Sequence, residues 1–409
     1  MKPDALPEPT LLRWSAPDEA AERRMRTELA QLVAGFDAPR LAQFAAGLAL
    51  DDDHPVRGAL VADDGPSAAR DLAHGERVTA RRMRRRPVAF LLPGHGSQYV
   101  RMGVQLYGRE PVFTSTMDGF FAEYGPDLRN DWLTASPRLP IGAAERGQPL
   151  LFAVDYALAA TITAWGIAPA ALVGHSVGEF AAAAVAGVVG VDEAARHLAA
   201  RTPLYRDAEP GGLLAVAASR EAVAAVLPAG VTIGVANGPR QTMVAGPEAA
   251  LRQAEKQLRA EGYRPVRADI PVPFHSPAMA GVAEQCAKAL REVLLRPPRI
   301  PLYSTRTGRP LTADEAVDPE FWAGQLTTPV LFGDALDRLL ADGDFLLVEV
   351  GPGRALTTVA RQHPAVRSGR SAAVSALPGR GVPPGGERRQ LLGVAAALWL
   401  EGHRLAVDR

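Results

Sequence analysis

The segment 171–187, ALVGHSVGEFAAAAVAG, predicts a buried strand, a sharp turn and an alanine-rich helix. Its central residues GHSVG fit the pattern Gly-x-Ser-x-Gly, in which a serine sits on a tight strand-to-helix turn. Gly174 and Gly178 let the chain turn without a Cβ clash, and the helix N-terminus favours a developing negative charge beside Ser176. We therefore interpret Ser176 as a candidate nucleophile at the carboxyl edge of a sheet. The alternative is an ordinary serine in a structural turn.

Strands alternate with helices around this segment. PVAFLLPGHGSQ predicts a buried strand that enters a glycine-rich loop, and PLLFAVDYALAATITAWG predicts a long apolar helix. That alternation is typical of a parallel sheet covered by helices. Residues 212–270 then predict the order β-α-β-β-α-β, which is the ferredoxin-like pattern. The predicted fold class is α/β, with a parallel-sheet core like that of α/β hydrolases and an inserted ferredoxin-like small subdomain.

The chain divides into four predicted units. An N-terminal α+β unit holds a helix in SAPDEAAERRMRTELAQLVAGF, capped by Ser15 or Asp18, and a strand in VRGALVA. It ends in the basic run RRMRRR, which we interpret as a solvated linker, with a binding patch as the alternative. The predicted boundaries are 1–87 for the N-terminal unit, 88–211 and 271–375 for the large subdomain, 212–270 for the small subdomain, and 376–409 for a C-terminal helix and tail.

Composition excludes several classes of protein. The 45 Lys and Arg residues balance 45 Asp and Glu residues, which argues against a general nucleic-acid binder. The single cysteine, Cys286, cannot form an internal disulfide or a cysteine-rich metal site, so we expect no bound metal and a reducing, cytoplasmic location. No apolar run of membrane-spanning length occurs and the N-terminal sequence has no apolar signal core, so we expect no membrane partner.

A serine nucleophile needs a general base, and the chain has eight histidines. His175 adjoins Ser176, but neighbouring side chains diverge on a tight turn, which makes His175 a poor base. His197 falls within a helical pattern and is predicted to be a surface residue. His275 lies in DIPVPFHSPAM, a proline-bounded loop at the rim of the sheet, where catalytic groups tend to lie. We select His275 as the candidate base, with a structural histidine as the alternative.

Five motifs, in order, resemble the signatures of one enzyme family. LLPGHGSQ, GHSVGEF, PVPFHSPAM, FWAGQLTTPV and VEVGPG are similar to those of acyltransferases of the malonyl-CoA:acyl-carrier-protein transacylase type, found in fatty acid and polyketide synthases. The resemblance covers roughly residues 88–375. Residues 10–80 are similar to the linker between ketosynthase and acyltransferase in modular polyketide synthases, and LLGVAAALWLEGHRL resembles the linker that follows the acyltransferase. The resemblance implies a discrete polyketide-type acyltransferase, or one excised from a larger synthase.

The resemblance also implies a mechanism and its site residues. Ser176 attacks an acyl thioester with His275 as the base, and the acyl group then passes to the phosphopantetheine thiol of an acyl carrier protein. The backbone carbonyl of Gln325 orients His275, and the backbone N–H groups of Val177 and His95 form the oxyanion hole. His95 stands where the family usually has Gln, a change that leaves the backbone donor intact. The implied partners are acyl-CoA, the carrier protein and a polyketide synthase that lacks its own acyltransferase, and no bound cofactor is expected.

Arg201 bears on the choice of acyl group. It follows Leu198 by three positions and so falls towards the apolar face of the helix VDEAARHLAART, where a buried guanidinium needs an anionic partner. The resemblance implies that this partner is a malonyl-type carboxylate, and the alternatives are an internal salt bridge or an arginine that points to solvent. The resemblance also places Gln148, Phe274 and His175 in the substrate site, where the Phe274 ring would crowd an α-methyl group.

Several functions remain in competition. The leading hypothesis is transfer of a malonyl-type group from CoA to a carrier protein in polyketide biosynthesis. One alternative is transfer of a larger acyl or aminoacyl group between two carrier proteins, and another is an acyl-carrier-protein hydrolase. A neutral acyl chain would give Arg201 nothing to pair with, which argues against both alternatives. A non-enzymatic docking scaffold is disfavoured because Ser176, His275 and Arg201 occur together.

Overall fold

Three β-sheets and their covering helices make up the fold, which is seen in a computed structural model that describes residues 8–48, 54–75, 78–381, 383 and 385–407. Parts of the predicted N-terminal unit (1–7, 49–53 and 76–77) and of the predicted tail (382, 384 and 408–409) lie outside the described residues. Within the described part of the chain, no helix is long and apolar enough to cross a membrane.

The elements are numbered in chain order. The strands of the described residues are β1 (Thr10–Ala16), β2 (Val56–Ala62), β3 (Thr79–Arg82), β4 (Val88–Leu92), β5 (Ala171–Gly174), β6 (Gly211–Val216), β7 (Thr232–Gly238), β8 (Gln241–Pro247), β9 (Val266–Arg267), β10 (Leu302–Ser304), β11 (Arg309–Pro310), β12 (Leu346–Glu349) and β13 (Ala372–Ser375). The helices are α1 (Glu19–Val33), α2 (Ala38–Leu48), α3 (Gly65–His74), α4 (Pro111–Tyr124), α5 (Pro126–Leu133), α6 (Ala144–Ala164), α7 (Val177–Ala186), α8 (Val191–Arg201), α9 (Arg220–Ala224), α10 (Glu248–Ala260), α11 (Ala280–Leu290), α12 (Ala313–Ala316), α13 (Pro319–Gly324), α14 (Phe332–Asp342), α15 (Ala355–Gln362), α16 (Pro364–Arg367) and α17 (Gly386–Glu401). Short 3-10 helices span Thr202–Asp207 and Pro277–Met279.

The central sheet has six strands in the order β11-β10-β5-β4-β12-β13. Its strands are parallel except β11, which pairs antiparallel with β10. Strands β6 to β9 form a separate antiparallel sheet in the order β7-β8-β6-β9, and α9 and α10 complete the β-α-β-β-α-β order. The N-terminal strands β1, β2 and β3 form a third, antiparallel sheet. The predicted fold class, a parallel α/β core with a small inserted antiparallel subdomain, is confirmed.

The buried strands β4 and β5 position the candidate site. Every residue of β4 and of β5 is buried, as expected for central strands covered by helices on both faces. The two strands are parallel neighbours, with Leu92 opposite Gly174 at their carboxyl ends. Loops that follow parallel strands meet at the same edge of a sheet. The segments after Leu92 and Gly174 are therefore brought together.

The N-terminal unit begins with a strand that the sequence patterns did not indicate. Because β1 includes Ser15, that residue does not cap helix α1. The Asp18 side chain is the N-cap and accepts a hydrogen bond from the Ala21 N–H at 2.7 Å. The β1 sequence TLLRWSA shows no polar–apolar alternation in burial, since Arg13 and Ser15 are themselves buried. The predicted strand VRGALVA coincides with β2, which pairs with β1 along its whole length.

The basic run 81–86 is partly structural. Glu401, at the end of α17, is fully buried, and its carboxylate accepts hydrogen bonds from Arg81 Nη2 at 2.6 Å and Arg86 Nη2 at 2.7 Å. Arg86 Nε donates to the second carboxylate oxygen at 3.1 Å, so this ion pair is bidentate. The interpretation of the run as a solvated linker is therefore wrong for Arg81 and Arg86. Their partner lies 315 residues beyond Arg86, where no local pattern reveals it.

Helix α17 also packs against the N-terminal sheet through Trp399. The Trp399 indole Nε1 donates a hydrogen bond to Gly58 O at 3.0 Å. The Arg57 guanidinium carbon lies 4.0 Å and that of Arg13 lies 5.6 Å from the Trp399 ring centroid, within the range of cation–π contacts. The N-terminal unit and the C-terminal helix thus pack together through Trp399 as well as through Glu401.

Replacing Glu401 with Ala is expected to destabilise the protein by about 3–5 kcal/mol, because the change removes the buried partner of two arginines. Urea-induced unfolding followed by circular dichroism measures the effect. Glu284→Ala is the matched control: Glu284 pairs with Lys288 on the surface, where the two side chains are 71% and 62% exposed, and its loss should leave the midpoint nearly unchanged. Equal effects of the two substitutions would contradict a structural role for Glu401.

Candidate active site

Ser176 lies at the turn between β5 and α7, in an uncommon backbone conformation. Its φ of 55° and ψ of −121° are unfavourable for a residue that has a Cβ atom. Close packing holds this turn, since a Cβ atom at Gly178 would lie 2.2 Å from Leu92 O and one at Gly174 would lie 2.2 Å from the Glu179 Cα. Only glycine fits at either position, so the turn is pressed against the end of β4.

Ser176 and His275 form a hydrogen-bonded serine–histidine pair. Ser176 Oγ lies 2.9 Å from His275 Nε2, although the two residues are 99 positions apart in the chain. His275 Nδ1 lies 2.9 Å from Gln325 O and 3.1 Å from Thr328 O. Because carbonyl oxygens only accept hydrogen bonds, Nδ1 carries the proton and Nε2 presents its lone pair to the serine hydroxyl. This is the tautomer that a general base needs.

Burial keeps the His275 imidazole neutral. The residue is 6% exposed, and burial lowers its pKa below the ordinary histidine value, against the opposing effect of the hydrogen bonds to Gln325 O and Thr328 O. Its backbone is fixed as well, with a φ of 63° and an N–H that donates to Leu326 O at 2.8 Å. A neutral imidazole in this position can accept the serine proton while the oxygen attacks an electrophile.

The two predicted oxyanion-hole donors lie on the loops that follow β5 and β4. Val177 is the first residue of α7, where helix N–H groups have no acceptor one turn earlier. His95 lies in the loop after β4, which approaches the serine turn so closely that a Cβ atom at Gly94 would lie 2.4 Å from His175 O. The structure brings both segments next to Ser176, and their assignment as donors stays a prediction.

The His95 side chain forms a neutral part of the site. Its Nε2 donates a hydrogen bond to Gly142 O at 3.1 Å, and burial lowers its pKa to about 4. A Cβ atom at Gly147 would lie 3.0 Å from His95 Cε1, so the glycine at that position makes room for the ring. The ring centroid lies 6.4 Å from that of Phe274. The His95 imidazole therefore adds no cation to the site at neutral pH.

Arg201 is a buried cation with no carboxylate partner among the described residues. It is the last residue of α8 and is 8% exposed. Its Nη2 donates to Gln148 Oε1 at 3.0 Å, and the Tyr205 hydroxyl donates to the same oxygen at 2.9 Å. The fully buried Arg146, in contrast, forms an ion pair with Asp131. The charge of Arg201 is thus left unbalanced by the described part of the protein.

A cavity of about 310 Å³ opens onto the serine–histidine pair. Its wall includes three further predicted site residues, which are His95, His175 and Phe274. Arg201 and Gln148 are not part of this wall. They are joined to it through Tyr205, whose ring centroid lies 5.0 Å from that of Phe274 in an edge-to-face contact. The structure therefore places His95, His175 and Phe274 in the cavity wall, whereas the Arg201 guanidinium lies behind an aromatic layer.

His197 is buried, so its prediction as a surface residue is wrong. It is 4% exposed, and its ring centroid lies 5.5 Å from that of Phe180 on α7. Burial lowers its pKa to about 3, and the nearby Arg201 guanidinium acts in the same direction. The signal that could have found it is spacing, since a residue four positions before Arg201 shares its helix face.

Three further residues of the site carry no recognisable sequence signal or only a weak one. Thr328 acts through its backbone carbonyl, which any residue would supply. Asn237 belongs to the small subdomain, and its Oδ1 accepts a hydrogen bond from His175 Nε2 at 3.0 Å across the subdomain boundary. Burial is the main cause that lowers the pKa of His175 to about 4, and the nearby His275 imidazole acts in the same direction. Tyr205 follows Arg201 by four positions, a spacing that could have indicated a shared face.

The labelling rate of Ser176 by a fluorophosphonate probe is expected to stay constant from about pH 8 down to the ordinary histidine pKa of about 6.5, and to fall only below it. The neutral His275 imidazole is the active form. Because the pKa of His275 is lowered in the folded protein, protonation removes this form only at a lower pH. Burial lowers the pKa values of His95 and His175 to about 4, so a fall in labelling rate that begins well above pH 4 is not explained by either of them.

Two variants test whether this pH dependence belongs to the Ser176–His275 pair. His275→Ala should slow labelling by about 10²–10⁴-fold because the general base is lost, and Ser176→Ala should abolish it. Initial rates of probe incorporation across the pH series, followed by intact-protein mass spectrometry, measure both effects. A midpoint above the ordinary histidine value, or labelling that survives in Ser176→Ala, would contradict the assignment.

Comparison with known proteins gives a consistent match. Residues 89–385 match the family model described as the acyl transferase domain. A component of the phenolphthiocerol/phthiocerol polyketide synthase of Mycobacterium tuberculosis is 36% identical over 377 residues, which cover 87% of this chain and 25% of that protein. The chain therefore spans about a quarter of the length of this curated relative.

Solved structures of acyltransferases share the fold. The acyl transferase domain of SpnD, in complex with 2-(pent-4-yn-1-yl)malonyl, aligns with a TM-score of 0.87 and 32% identity over 96% of each chain. A malonyl-CoA:acyl carrier protein transacylase from Xanthomonas oryzae aligns with a TM-score of 0.68 and 26% identity, over 77% of this chain and 99% of that one. The first alignment includes the N-terminal unit, while the second covers a smaller share of this chain.

Proposed function

The chain belongs to the acyl transferase domain family, and from that membership we propose that it transfers a malonyl-type acyl group from coenzyme A to the phosphopantetheine thiol of an acyl carrier protein. The observation that carries the proposal is the serine–histidine pair, with Ser176 Oγ 2.9 Å from His275 Nε2, together with a buried, unbalanced arginine that is linked to the cavity wall through Gln148 and Tyr205. The pair supports acyl transfer through serine, and the arginine supports an acyl group that carries a carboxylate.

The first half-reaction would load the serine. Ser176 Oγ attacks the thioester carbonyl of acyl-CoA while its proton passes to His275 Nε2. The negative charge that develops on the carbonyl oxygen would be stabilised by the backbone N–H groups of Val177 and His95. The C–S bond then breaks, and the CoA sulfur takes the proton from His275 Nε2. The products are an acyl-serine ester and free CoA.

The second half-reaction would unload it by the reverse route. The carrier protein's phosphopantetheine thiol gives its proton to His275 Nε2, and the sulfur attacks the ester carbonyl. The bond to Ser176 Oγ breaks, and that oxygen recovers the proton from the imidazole. His275 can serve both halves because the carbonyls of Gln325 and Thr328 hold its ring in one orientation throughout. The kinetics expected of this scheme are ping-pong.

Arg201 supports a substrate with a carboxylate. The described residues supply it with an amide oxygen from Gln148 and the face of Phe180, whose centroid lies 5.7 Å from the guanidinium carbon. Neither group neutralises a cation in a buried site. A malonyl carboxylate would balance the charge, and a hydrogen bond between charged partners is worth about 1.5–3 kcal/mol. A neutral acyl chain, whether exchanged between carrier proteins or hydrolysed, would leave the cation unpaired.

The partners follow from the family and remain part of the proposal. The curated relative is a component of a polyketide synthase, and one related structure is named as a transacylase that uses malonyl-CoA and an acyl carrier protein. The related SpnD domain was captured with a substituted malonyl group. For this chain we propose partners of the same kinds, which are acyl-CoA, an acyl carrier protein and a polyketide synthase that receives the acyl group. We propose no cofactor bound by the chain itself.

Incubation with malonyl-CoA is expected to give a malonyl adduct on the wild-type protein and none on Ser176→Ala, measured by intact-protein mass spectrometry. Arg201→Ala should lower kcat/KM for malonyl-CoA by about 10–100-fold, the equivalent of the lost charged hydrogen bonds. Acetyl-CoA, which has no carboxylate, serves as the control substrate and should respond little to Arg201→Ala. An acetyl adduct formed as fast as the malonyl adduct in the wild type would contradict the malonyl assignment.

Phe274→Ser is expected to raise the ratio of methylmalonyl to malonyl loading by at least about tenfold. The Phe274 ring is 4% exposed and lines the cavity beside the serine–histidine pair, so its removal frees space for an α-methyl group. Competition between the two CoA esters in one reaction, resolved by mass, measures the ratio. Phe274→Tyr keeps the ring and should leave the ratio unchanged. An unaltered ratio in Phe274→Ser would show that this wall does not bound the α-carbon.

A further inference from the structure

The Gln148 side chain is held through its oxygen alone. Arg201 Nη2 donates to Oε1 at 3.0 Å, and the Tyr205 hydroxyl donates to the same atom at 2.9 Å. An amide turned the other way would set its NH2 group against the Arg201 guanidinium, which can only donate, so the network assigns the oxygen to this position. The NH2 group therefore points away from both donors, and it has no hydrogen-bond partner among the described residues.

Tyr205 reaches Gln148 because the chain stays helical past the end of α8. Pro203 does not break the path, since Thr202 keeps helical angles and residues Thr202–Asp207 form a 3-10 helix. Tyr205 then lies about one helical turn beyond Arg201, and both side chains reach Gln148. The Thr202 hydroxyl anchors this turn through a hydrogen bond with the Tyr124 hydroxyl at 3.1 Å. Both donors to Gln148 thus come from one continuous helical segment.

Tyr205 is fully committed to these contacts. It is 3% exposed, and its ring packs edge-to-face on Phe274 with a centroid separation of 5.0 Å. Burial raises the pKa of its phenol, so the hydroxyl keeps the proton that it donates. A residue that only filled space here would not need a hydroxyl. The hydroxyl has Gln148 Oε1 as its hydrogen-bond acceptor.

We propose that Tyr205 is a positioning residue for recognition of the acyl carboxylate: its hydroxyl and Arg201 clamp Gln148 Oε1, so that the Gln148 NH2 group is presented as a second donor next to the guanidinium. The inference rests on the proposed function, because the carboxylate belongs to the malonyl-type substrate. Two donors of fixed direction recognise a planar carboxylate better than a single cation does. Without the hydroxyl, Gln148 keeps one of its two anchors and its amide can turn.

Binding measured without chemistry tests this role. The Ser176→Ala protein, full length, is titrated with malonyl-CoA and separately with acetyl-CoA by calorimetry, with and without Tyr205→Phe. Tyr205→Phe keeps the ring on Phe274 and removes only the hydroxyl. The expected result is a roughly tenfold weaker Kd for malonyl-CoA, equivalent to the loss of about one net hydrogen bond, and a change of less than about twofold for acetyl-CoA.

A second variant controls for the loss of a buried phenol. Tyr303 is 7% exposed and its hydroxyl bonds to Asp342 at 2.8 Å, so Tyr303→Phe removes a comparable group that is not part of the site. It should leave both affinities unchanged. In an Arg201→Ala background, Tyr205→Phe should cost less than about twofold for malonyl-CoA, because the two residues act through one amide.

The outcomes separate this inference from the proposed function. If malonyl-CoA binds no more tightly than acetyl-CoA while Tyr205 is intact, recognition of a carboxylate fails, and the Tyr205 inference falls with it. If malonyl-CoA is preferred and Tyr205→Phe weakens both esters equally, or neither, the proposed function stands and the positioning role is overturned. A selective loss for malonyl-CoA supports both.

Discussion

The fit of the Gly178 backbone against the Leu92 carbonyl is the constraint on which the site depends. It presses the turn after β5 onto the end of β4 and holds Ser176 at a φ of 55°. Such a conformation costs about 1–3 kcal/mol, and it persists only where many surrounding contacts hold the backbone in place. Here the surroundings are two fully buried parallel strands and a helix whose Glu179 carboxylate, 1% exposed, accepts hydrogen bonds from the Thr305 N–H and hydroxyl next to β10. The serine hydroxyl is thereby placed by the sheet and not by a flexible loop.

Burial leaves the histidines of the site neutral, while the arginine of the site is a cation. It lowers the pKa of His275, His175 and His95, so the imidazoles around the serine are neutral at pH 7 and one can act as a base. Arg201 brings a guanidinium cation into the same buried surroundings. A buried cation beside neutral groups attracts an anion strongly. The serine–histidine pair and the arginine thus have separate environments, one with neutral imidazoles and one with a buried cation.

The sequence predicted what local patterns can encode. The strand, turn and helix around Ser176, the β-α-β-β-α-β order and the apolar face that buries Arg201 all follow from periodicity and glycine spacing over short segments. What it could not predict depends on partners far along the chain. The buried carboxylate of Glu401 makes two residues of a basic run structural, and the Asn237 amide reaches His175 only because two subdomains pack together. His197 shows the limit within one helix, since the pattern did not reveal how much of that helix face α7 covers.

The Trp399 contact has a consequence for how much of the chain must be kept to obtain a working enzyme. The indole lies against the guanidinium groups of Arg57 and Arg13 and donates to Gly58 O, while Glu401 takes hydrogen bonds from Arg81 and Arg86. A fragment that starts at residue 88 would keep the serine–histidine pair. It would also expose Trp399 and leave the buried Glu401 carboxylate without its two arginine partners. The N-terminal unit and helix α17 stabilise each other, so a minimal catalytic fragment has to include both or neither.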